Sequence, residues 1–167
     1  MLKTKRGLEM ADVAAIIERS TEGADAREVY REIERISQEC VGWRLFTILR
    51  YVEADAAVER LYSSDEKAYP VGGRKPLDKI ALSHTAMEKG EVFLAATREE
   101  VKGAFFDHEL IFSLGISAIL NAPIRHGGRR LGTLNLCGEE GAYGSAEVAS
   151  AKILAGLIVP ALMRGGN

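Results

Sequence analysis

Four polar side chains could hold a small ligand, because they occur on two apolar segments near the end of the chain. They are Ser117, Asn121, Thr133 and Asn135. Alternate residues of a strand lie on one face, so each pair is expected to share a face of its strand. A buried amide without a partner costs about 1–3 kcal/mol. The two asparagines therefore need a bound polar ligand, water or neighbouring loop backbone, and these alternatives stay open.

A glycine-rich loop with two cations is a second candidate site. Residues 71–75 are Val-Gly-Gly-Arg-Lys. Glycines can expose backbone N–H groups to an anion, and Arg74 can bind a carboxylate or phosphate through two parallel hydrogen bonds. The segment matches neither the P-loop nor the dinucleotide-binding pattern. Its alternative interpretation is a solvated turn with basic residues.

The histidines give weaker indications of chemistry. The run Asp107-His108-Glu109 could bind a metal or transfer protons, but adjacent helical residues point in different directions. Asp107 is expected to cap a helix. His84 lies in a predicted helix, as a ligand contact or as a half-buried residue with protein partners. His126 lies in a predicted turn and is expected to be exposed.

The two cysteines do not indicate catalysis. Cys40 ends a predicted helix and Cys137 ends a predicted strand, so both are expected to be small buried residues. The sequence contains neither a Gly-x-Ser-x-Gly elbow nor a His-Glu-x-x-His helix. We therefore assign no catalytic residue and no metal, and the cofactor stays unknown. Two distant cysteines suit a reducing compartment, which predicts a cytoplasmic location.

Composition excludes several classes of protein. The 167 residues are 47% apolar and 28% charged, with a net charge of −2, which predicts one folded domain and disfavours nucleic acid as a partner. The apolar run 154–163 is about half the length of a membrane span. Glu9 and Asp12 interrupt any signal core. We expect neither a nucleic-acid nor a membrane partner.

Hydrophobic periodicity predicts the elements that position these residues. A capping box of Asp25 and Glu28 opens a helix whose apolar stripe ends at Cys40. Further helices are predicted over 9–19, 77–89, 99–114 (as one or two) and 146–163, with Ser145 as the N-cap of the last. Strands are predicted over 43–52, 57–63, 92–95, 116–125 and 129–137. Short turns join the first two and the last two strands, which predicts an α+β fold with a largely antiparallel sheet.

Residues 27–162 resemble a GAF domain. Six segments carry the resemblance: 43–51, 60–64, 69–76, 106–111, 117–124 and 131–136. Those ending in Ala-Pro-Ile124 and Gly-Thr-Leu-Asn-Leu136 are the most family-like. The resemblance implies a central antiparallel sheet of five to six strands, with the N- and C-terminal helices on one face and a ligand pocket on the other. It divides the chain into an N-terminal helix (1–24), a GAF-like domain (25–163) and a flexible tail (164–167).

The resemblance implies a non-enzymatic sensor of a small polar or anionic metabolite. Because the 69–76 loop and the 106–111 segment would then border the pocket, the predicted ligand-binding residues are Tyr62, Tyr69, Arg74, His84, His108, Ser117, Asn121, Thr133 and Asn135. The terminal helices carry apolar stripes, which predicts a homodimer formed through a helical bundle.

Two alternatives remain. One is a GAF-type reductase of free methionine sulfoxide. Relatives of that kind depend on several loop cysteines, whereas residues 64–115 contain none. The other is an interaction or dimerisation module without a ligand.

A bilin-binding function is not expected. Bilin-bearing relatives have a cysteine followed by histidine, but Gly138 follows Cys137 here.

Overall fold

The computed structural model describes residues 5–79 and 85–164. Its α-helices are α1 (Met10–Thr21), α2 (Ala26–Cys40), α3 (Arg98–Ala104), α4 (His108–Ser113) and α5 (Ser145–Arg164). Its strands are β1 (Leu45–Val52), β2 (Ala57–Ser63), β3 (Arg74–Pro76), β4 (Phe93–Ala95), β5 (Ala118–His126) and β6 (Arg129–Gly138). A 3₁₀ turn at Glu53–Asp55 joins β1 to β2.

The six strands form one sheet in the order β3-β2-β1-β6-β5-β4, and every neighbouring pair is antiparallel. The α+β prediction and the antiparallel sheet are therefore confirmed. Helices α1, α2 and α5 cover one face, where Ile33, Ile36, Phe46, Leu120 and Leu154 belong to a single buried apolar cluster. Burial of this cluster is the main force that joins the helices to the sheet.

The other face of the sheet carries α3, α4 and the segment 64–79. Its smaller apolar cluster includes Tyr69, Val101, Ile111 and Ile119. In β5, Leu120 faces the helices, whereas Ile119 belongs to this second cluster. The predicted assignment of alternate residues of β5 to opposite faces is thus confirmed.

The helix starts follow the sequence with small corrections. The Asp25 carboxylate caps α2 by accepting the backbone N–H of Arg27, and Glu28 makes no reciprocal bond, so the predicted capping box is only half formed. Helix α5 begins at Ser145 itself. The Glu147 carboxylate accepts the N–H of Gly144, 2.8 Å away, and replaces the predicted serine cap.

The segment 77–89 departs most from the predictions. A continuous helix was expected, but the described ends of this segment are a 3₁₀ turn at Leu77–Lys79 and a π-helical turn at Thr85–Lys89. Residues 80–84 lie outside the described residues. Strand β3 was not predicted, because three residues are too few to show a period of two and only their pairing with β2 defines them. Of the predicted tail, Arg164 is helical, and 165–167 lie outside the described residues.

By length and composition, helix α5 could span a membrane. Within the fold, its Ala151, Leu154, Ala155, Ile158 and Ala161 are buried against the sheet and the neighbouring helices. The helix continues through Pro160 to Arg164. The apolar composition of α5 therefore serves the core.

Candidate functional site

A cavity of about 100 Å³ lies on the face of the sheet opposite the terminal helices. Strands β1, β2, β5 and β6 form its floor, and the segment 64–79 and the connection between α3 and α4 form its walls. Leu45, Ile111 and Ile119 give it an apolar lining. Since a water molecule occupies about 30 Å³ in the liquid, the cavity has room for roughly three waters or a short organic molecule.

Two asparagine side chains lie on the floor of the cavity. Asn121 and Asn135 face each other across the pairing of β5 with β6, and each is 5% exposed. The Asn135 Nδ2 donates to Thr47 Oγ1, 3.1 Å away. Neither Oδ1 has a partner within the described part of the chain. Each oxygen therefore has unused acceptor capacity, on a residue that lines the cavity.

Arg60 places a buried positive charge beside the same cavity. Its side chain is 8% exposed, and its guanidinium lies 5.0 Å from the centre of the Tyr69 ring. Nη1 donates to the carbonyl oxygen of Pro70 at 3.1 Å, but the buried Nε–H has no partner among the described residues. Burial lowers the pKa of Arg60. Gly73 makes room for this side chain, since a Cβ there would lie 3.1 Å from Nη1.

A β-bulge in β2 explains why Tyr62 was predicted as a ligand-binding residue whereas Arg60, which lines the cavity, was not. Two residues apart in a regular strand, both would lie on one face. In β2, however, Tyr62 pairs with Ile48 and Arg60 pairs with Leu49, so Leu61 is the extra residue of the bulge. Tyr62 therefore faces the helices, whereas Arg60 faces the cavity. Arg60 directly follows Glu59 in β2, so its charge alone did not single it out, and the bulge cannot be read from the sequence.

The mouth of the cavity has a hydrogen-bonded carboxylate. Asp107 Oδ2 accepts hydrogen bonds from the Tyr69 hydroxyl and from Lys75 Nζ, each at 3.3 Å. Burial, with a smaller contribution from Asp107, raises the pKa of Tyr69. Phe106 is 70% exposed and lies 5.2 Å from Lys75 Nζ. Asp107 occupies the N-cap position of α4 but makes no capping bond, contrary to the prediction.

Tyr62 and Arg74 lie away from the cavity. The Tyr62 hydroxyl donates to the Glu34 carboxylate, and its ring packs edge-on against Phe46 on the helix side. Arg74 is exposed, and its Nη1 lies 2.6 Å from Asp55 Oδ2. The predicted role of Arg74 as an anion contact at the pocket mouth is not supported, because this cation already has a carboxylate partner.

The histidines do not line the cavity in the described part of the chain. His108 Nδ1 lies 2.9 Å from the Phe105 carbonyl oxygen, and its ring contacts Phe112. This pairing gives His108 the role of a local positioning contact in α4. His84 lies outside the described residues. His126 is exposed at the end of β5, as predicted.

Of the four polar strand residues, Asn121 and Asn135 line the cavity and the other two do not. Ser117 Oγ accepts the backbone N–H of Glu140 at 2.8 Å. Thr133 is buried in β6 outside the lining. Of all the ligand-binding residues predicted from the sequence, the structure therefore brings three together at the cavity: Tyr69, Asn121 and Asn135.

The thiols are unsuited to nucleophilic chemistry. Cys137 lines the cavity, and burial raises the pKa of its thiol to about 12. Burial also raises the pKa of Cys40, on the helix side, to about 11. A thiolate is the reactive form of cysteine, so both side chains are inert near neutral pH. Within residues 5–79 and 85–164, no three His, Cys, Asp or Glu side chains are placed to hold a metal ion.

A larger open crevice of about 1050 Å³ lies between the start of α2, the end of α5 and the β5–β6 hairpin. Several of its charges are already paired. Arg50 Nε lies 2.8 Å from the Glu59 carboxylate, and the Arg130 guanidinium lies 4.4 Å from the centre of the Tyr51 ring. We assign the candidate site to the smaller cavity, because it brings buried, unpartnered polar groups together.

Comparison with known proteins gives an independent result. A family model described as GAF domain matches residues 23–163. The GAF domain of a phosphoenolpyruvate-protein phosphotransferase from Coxiella burnetii superposes with a TM-score of 0.76 at 14% identity, covering 93% of each chain. The corresponding Acinetobacter domain gives 0.73 at 10% identity, covering 95% of this chain and 96% of the other.

A phycoerythrobilin-bound GAF domain from a cyanobacterial phytochrome gives a TM-score of 0.68 at 13% identity, covering 94% of this chain and 97% of the other. These structural similarities establish the fold. No curated protein sequence matches the chain.

Proposed function

This chain belongs to the GAF domain family, and we propose that it is a non-enzymatic sensor that binds a small polar or anionic molecule. The observation that carries this proposal is that Asn121 and Asn135 line one cavity with side-chain oxygens that have no hydrogen-bond partner among the described residues. Several structures similar to this chain are domains of signalling proteins, including a methyl-accepting chemotaxis protein and a two-component sensor histidine kinase. Those relatives support a sensory role.

Binding rather than catalysis fits the groups at the cavity. Its one lining thiol, Cys137, is protonated at neutral pH, so the alternative of a sulfoxide reductase lacks an activated nucleophile. The asparagines can form hydrogen bonds but cannot transfer protons near neutral pH. A ligand that donates to them would satisfy buried oxygens and thereby favour the folded state.

We also propose that the sensor acts as a cytoplasmic homodimer. Met10 and Ile17 on α1 are 80% and 46% exposed, and Ile153 and Met163 on α5 are each 48% exposed. Large exposed apolar residues on neighbouring helices are typical of association surfaces. A second copy covering α1 and α5 would let a change in helix packing alter the dimer and so transmit ligand binding.

Thermal unfolding of the full chain with small polar and anionic metabolites at millimolar concentration tests the binding function. We expect at least one compound to raise the unfolding midpoint, because a ligand that binds only the folded state stabilises it by about 2.7 kcal/mol at 100 times its Kd. The same compound should have no effect on Asn121→Leu, in which the amide is replaced by an apolar group of similar size.

Ser117→Ala is the matched control, since Ser117 precedes β5 but lies outside the cavity lining. This variant should retain the ligand-induced shift. The proposal is wrong if no compound stabilises the wild-type chain, or if Ser117→Ala loses the shift as fully as Asn121→Leu.

A further inference from the structure

No described residue supplies an anionic partner within ion-pair distance of the buried guanidinium of Arg60. Among the described residues, no carboxylate lies within 4.0 Å of it, and its one hydrogen bond is to the Pro70 carbonyl oxygen. Burying an ion without a counter-ion is strongly unfavourable. The fold therefore places a positive charge where a bound anion would be favourable.

The acid nearest the cavity mouth is already bound to other groups. Asp107 accepts hydrogen bonds from Tyr69 and Lys75, and its oxygens are not within ion-pair distance of Arg60. The charged residues that line the cavity are three cations, Arg60, Lys75 and Lys79, and one carboxylate, Asp107. The described lining is thus positively charged and suits a negative ligand.

The free edge of Arg60 indicates which anion fits. Nη1 is engaged with Pro70, whereas the buried Nε–H, which shares the other edge of the guanidinium with Nη2, has no partner in the described part of the chain. Two parallel N–H groups match the two oxygens of a carboxylate. Elsewhere in the cavity, the Asn121 and Asn135 oxygens require donors.

We infer that the ligand is a short carboxylate that also carries a hydroxyl or amino group. Its carboxylate pairs with the free edge of Arg60, and its donor binds the oxygens of Asn121 and Asn135. The volume of about 100 Å³ suits a molecule of a few carbon atoms. This inference rests on the proposed ligand-binding function of the same cavity, and it adds the chemical class of the ligand.

Isothermal titration calorimetry on the full wild-type chain separates the two requirements. The probes are lactate, which has both groups, lactamide, which lacks the charge, propionate, which lacks the hydroxyl donor, and inorganic phosphate. We expect lactate to bind at least tenfold more tightly than any of the other three. Alanine tests the amino form of the donor and should also exceed propionate.

Arg60→Met supplies the corresponding variant, because methionine is an unbranched side chain that removes the charge. Its Kd for lactate should be at least tenfold higher than that of the wild type, while circular dichroism should show that the variant remains folded. Arg74→Met is the matched control, since Arg74 is an exposed cation paired with Asp55 outside the cavity. It should bind lactate like the wild type.

Each contrary result has a distinct meaning. Lactamide binding as tightly as lactate, or phosphate binding more tightly, would overturn the carboxylate assignment and leave the proposed function intact. Equal binding of propionate would overturn the donor requirement. If none of the acids binds but the metabolite screen finds another stabilising compound, the assignment of the ligand class is wrong. Absence of any stabilising compound would overturn both proposals.

Discussion

Individual residues at the cavity owe their chemistry to burial. Arg60 is a cation without a described carboxylate partner, and Asn121 and Asn135 are amides without donors for their oxygens. In water none of these groups would need a partner, because solvent would supply the hydrogen bonds. Their ligand-binding character therefore comes from the apolar residues that surround them.

Burial has the opposite consequence for Cys137, and this gives a prediction at the residue scale. With its pKa raised to about 12, compared with about 8.5 for a free thiol, the native side chain holds roughly a thousandfold less thiolate. We expect iodoacetamide at pH 8 to label Cys137 at least 100-fold more slowly in the native chain than in urea. Mass spectrometry of the labelled peptide measures both rates.

The peptide that contains Cys40 is an internal comparison, because burial raises the pKa of that thiol as well, to about 11. Fast native labelling of Cys137 alone would contradict the inert thiol and would revive the reductase alternative.

Secondary-structure elements are held in place by a few close contacts. Strand β1 lies in the middle of the sheet between β2 and β6, so its pairing determines which residues reach the cavity. Helix α1 is joined to α2 through Arg6, whose guanidinium contacts both Asp12 and Glu39. Substitutions at these contacts test the pairing of β1 and the attachment of α1.

The pairing of β1 with β6 requires glycine at position 132. A Cβ added there would lie 1.9 Å from the Leu49 carbonyl oxygen, which is backbone and cannot rotate away. We expect Gly132→Ala to destabilise the chain by at least about 1–3 kcal/mol. The free energy of unfolding in urea measures this change.

Gly103→Ala in α3 is the control, because no atom lies within 4 Å of an added Cβ there. This substitution should be neutral or stabilise the chain by about 0.5–1 kcal/mol, since alanine favours a helix more than glycine. Equal stability of the two variants would disprove the close approach of β1 to Gly132.

The attachment of α1 should depend on pH. Hydrogen bonds from Arg6, at 2.6 and 2.8 Å, hold the pKa of Asp12 below its ordinary value. A lowered pKa in the folded state stabilises the chain above the unfolded pKa of about 3.9, and the effect disappears as pH falls through the folded pKa. Asp12→Asn should therefore lower the thermal midpoint by about 2–4 °C at pH 7.

The difference between Asp12→Asn and the wild type should shrink as the pH falls below about 4. Asp78→Asn, at an exposed carboxylate without an ion pair to a described residue, should match the wild type at every pH. A difference for Asp12→Asn that is constant from pH 7 to pH 2 would argue against the ion pair.

At the scale of the whole molecule, the sheet separates two surfaces with different roles. The cavity lies on one face, and the apolar side chains of α1 and α5 are exposed beyond the other. Helix α5 packs directly on β5 and α2. A signal from the cavity to a partner copy would therefore cross the sheet.

The proposed dimer gives the prediction at this scale. A charge at the centre of an apolar interface disfavours association, so Ile153→Glu should convert the dimer to a monomer of 18.2 kDa. Sedimentation equilibrium measures the mass. Leu110→Glu is the control, because Leu110 is similarly exposed, at 43%, but lies on α4 across the sheet. A wild-type monomer would contradict the dimer.

Much of this fold followed from the sequence because the signals are local. Alternation in β5 predicted that neighbouring residues lie on opposite faces of the sheet, and spacing in α2 predicted its buried stripe. The segment 77–89 was predicted less well, since its described turns depend on contacts with distant strands. The resemblance of the chain to GAF domains also predicted the face on which the cavity lies.

The sequence by itself predicted five of the six strands of the antiparallel sheet, and it identified the two asparagines that line the cavity. Tertiary structure decided which cation lies there. The bulge at Leu61 turns Arg60 toward the cavity and Tyr62 toward the helices, and an ion pair with Asp55 holds Arg74 outside. Periodicity is fixed by neighbours along the chain, whereas a bulge and an ion pair depend on the register and proximity of residues that only folding brings together.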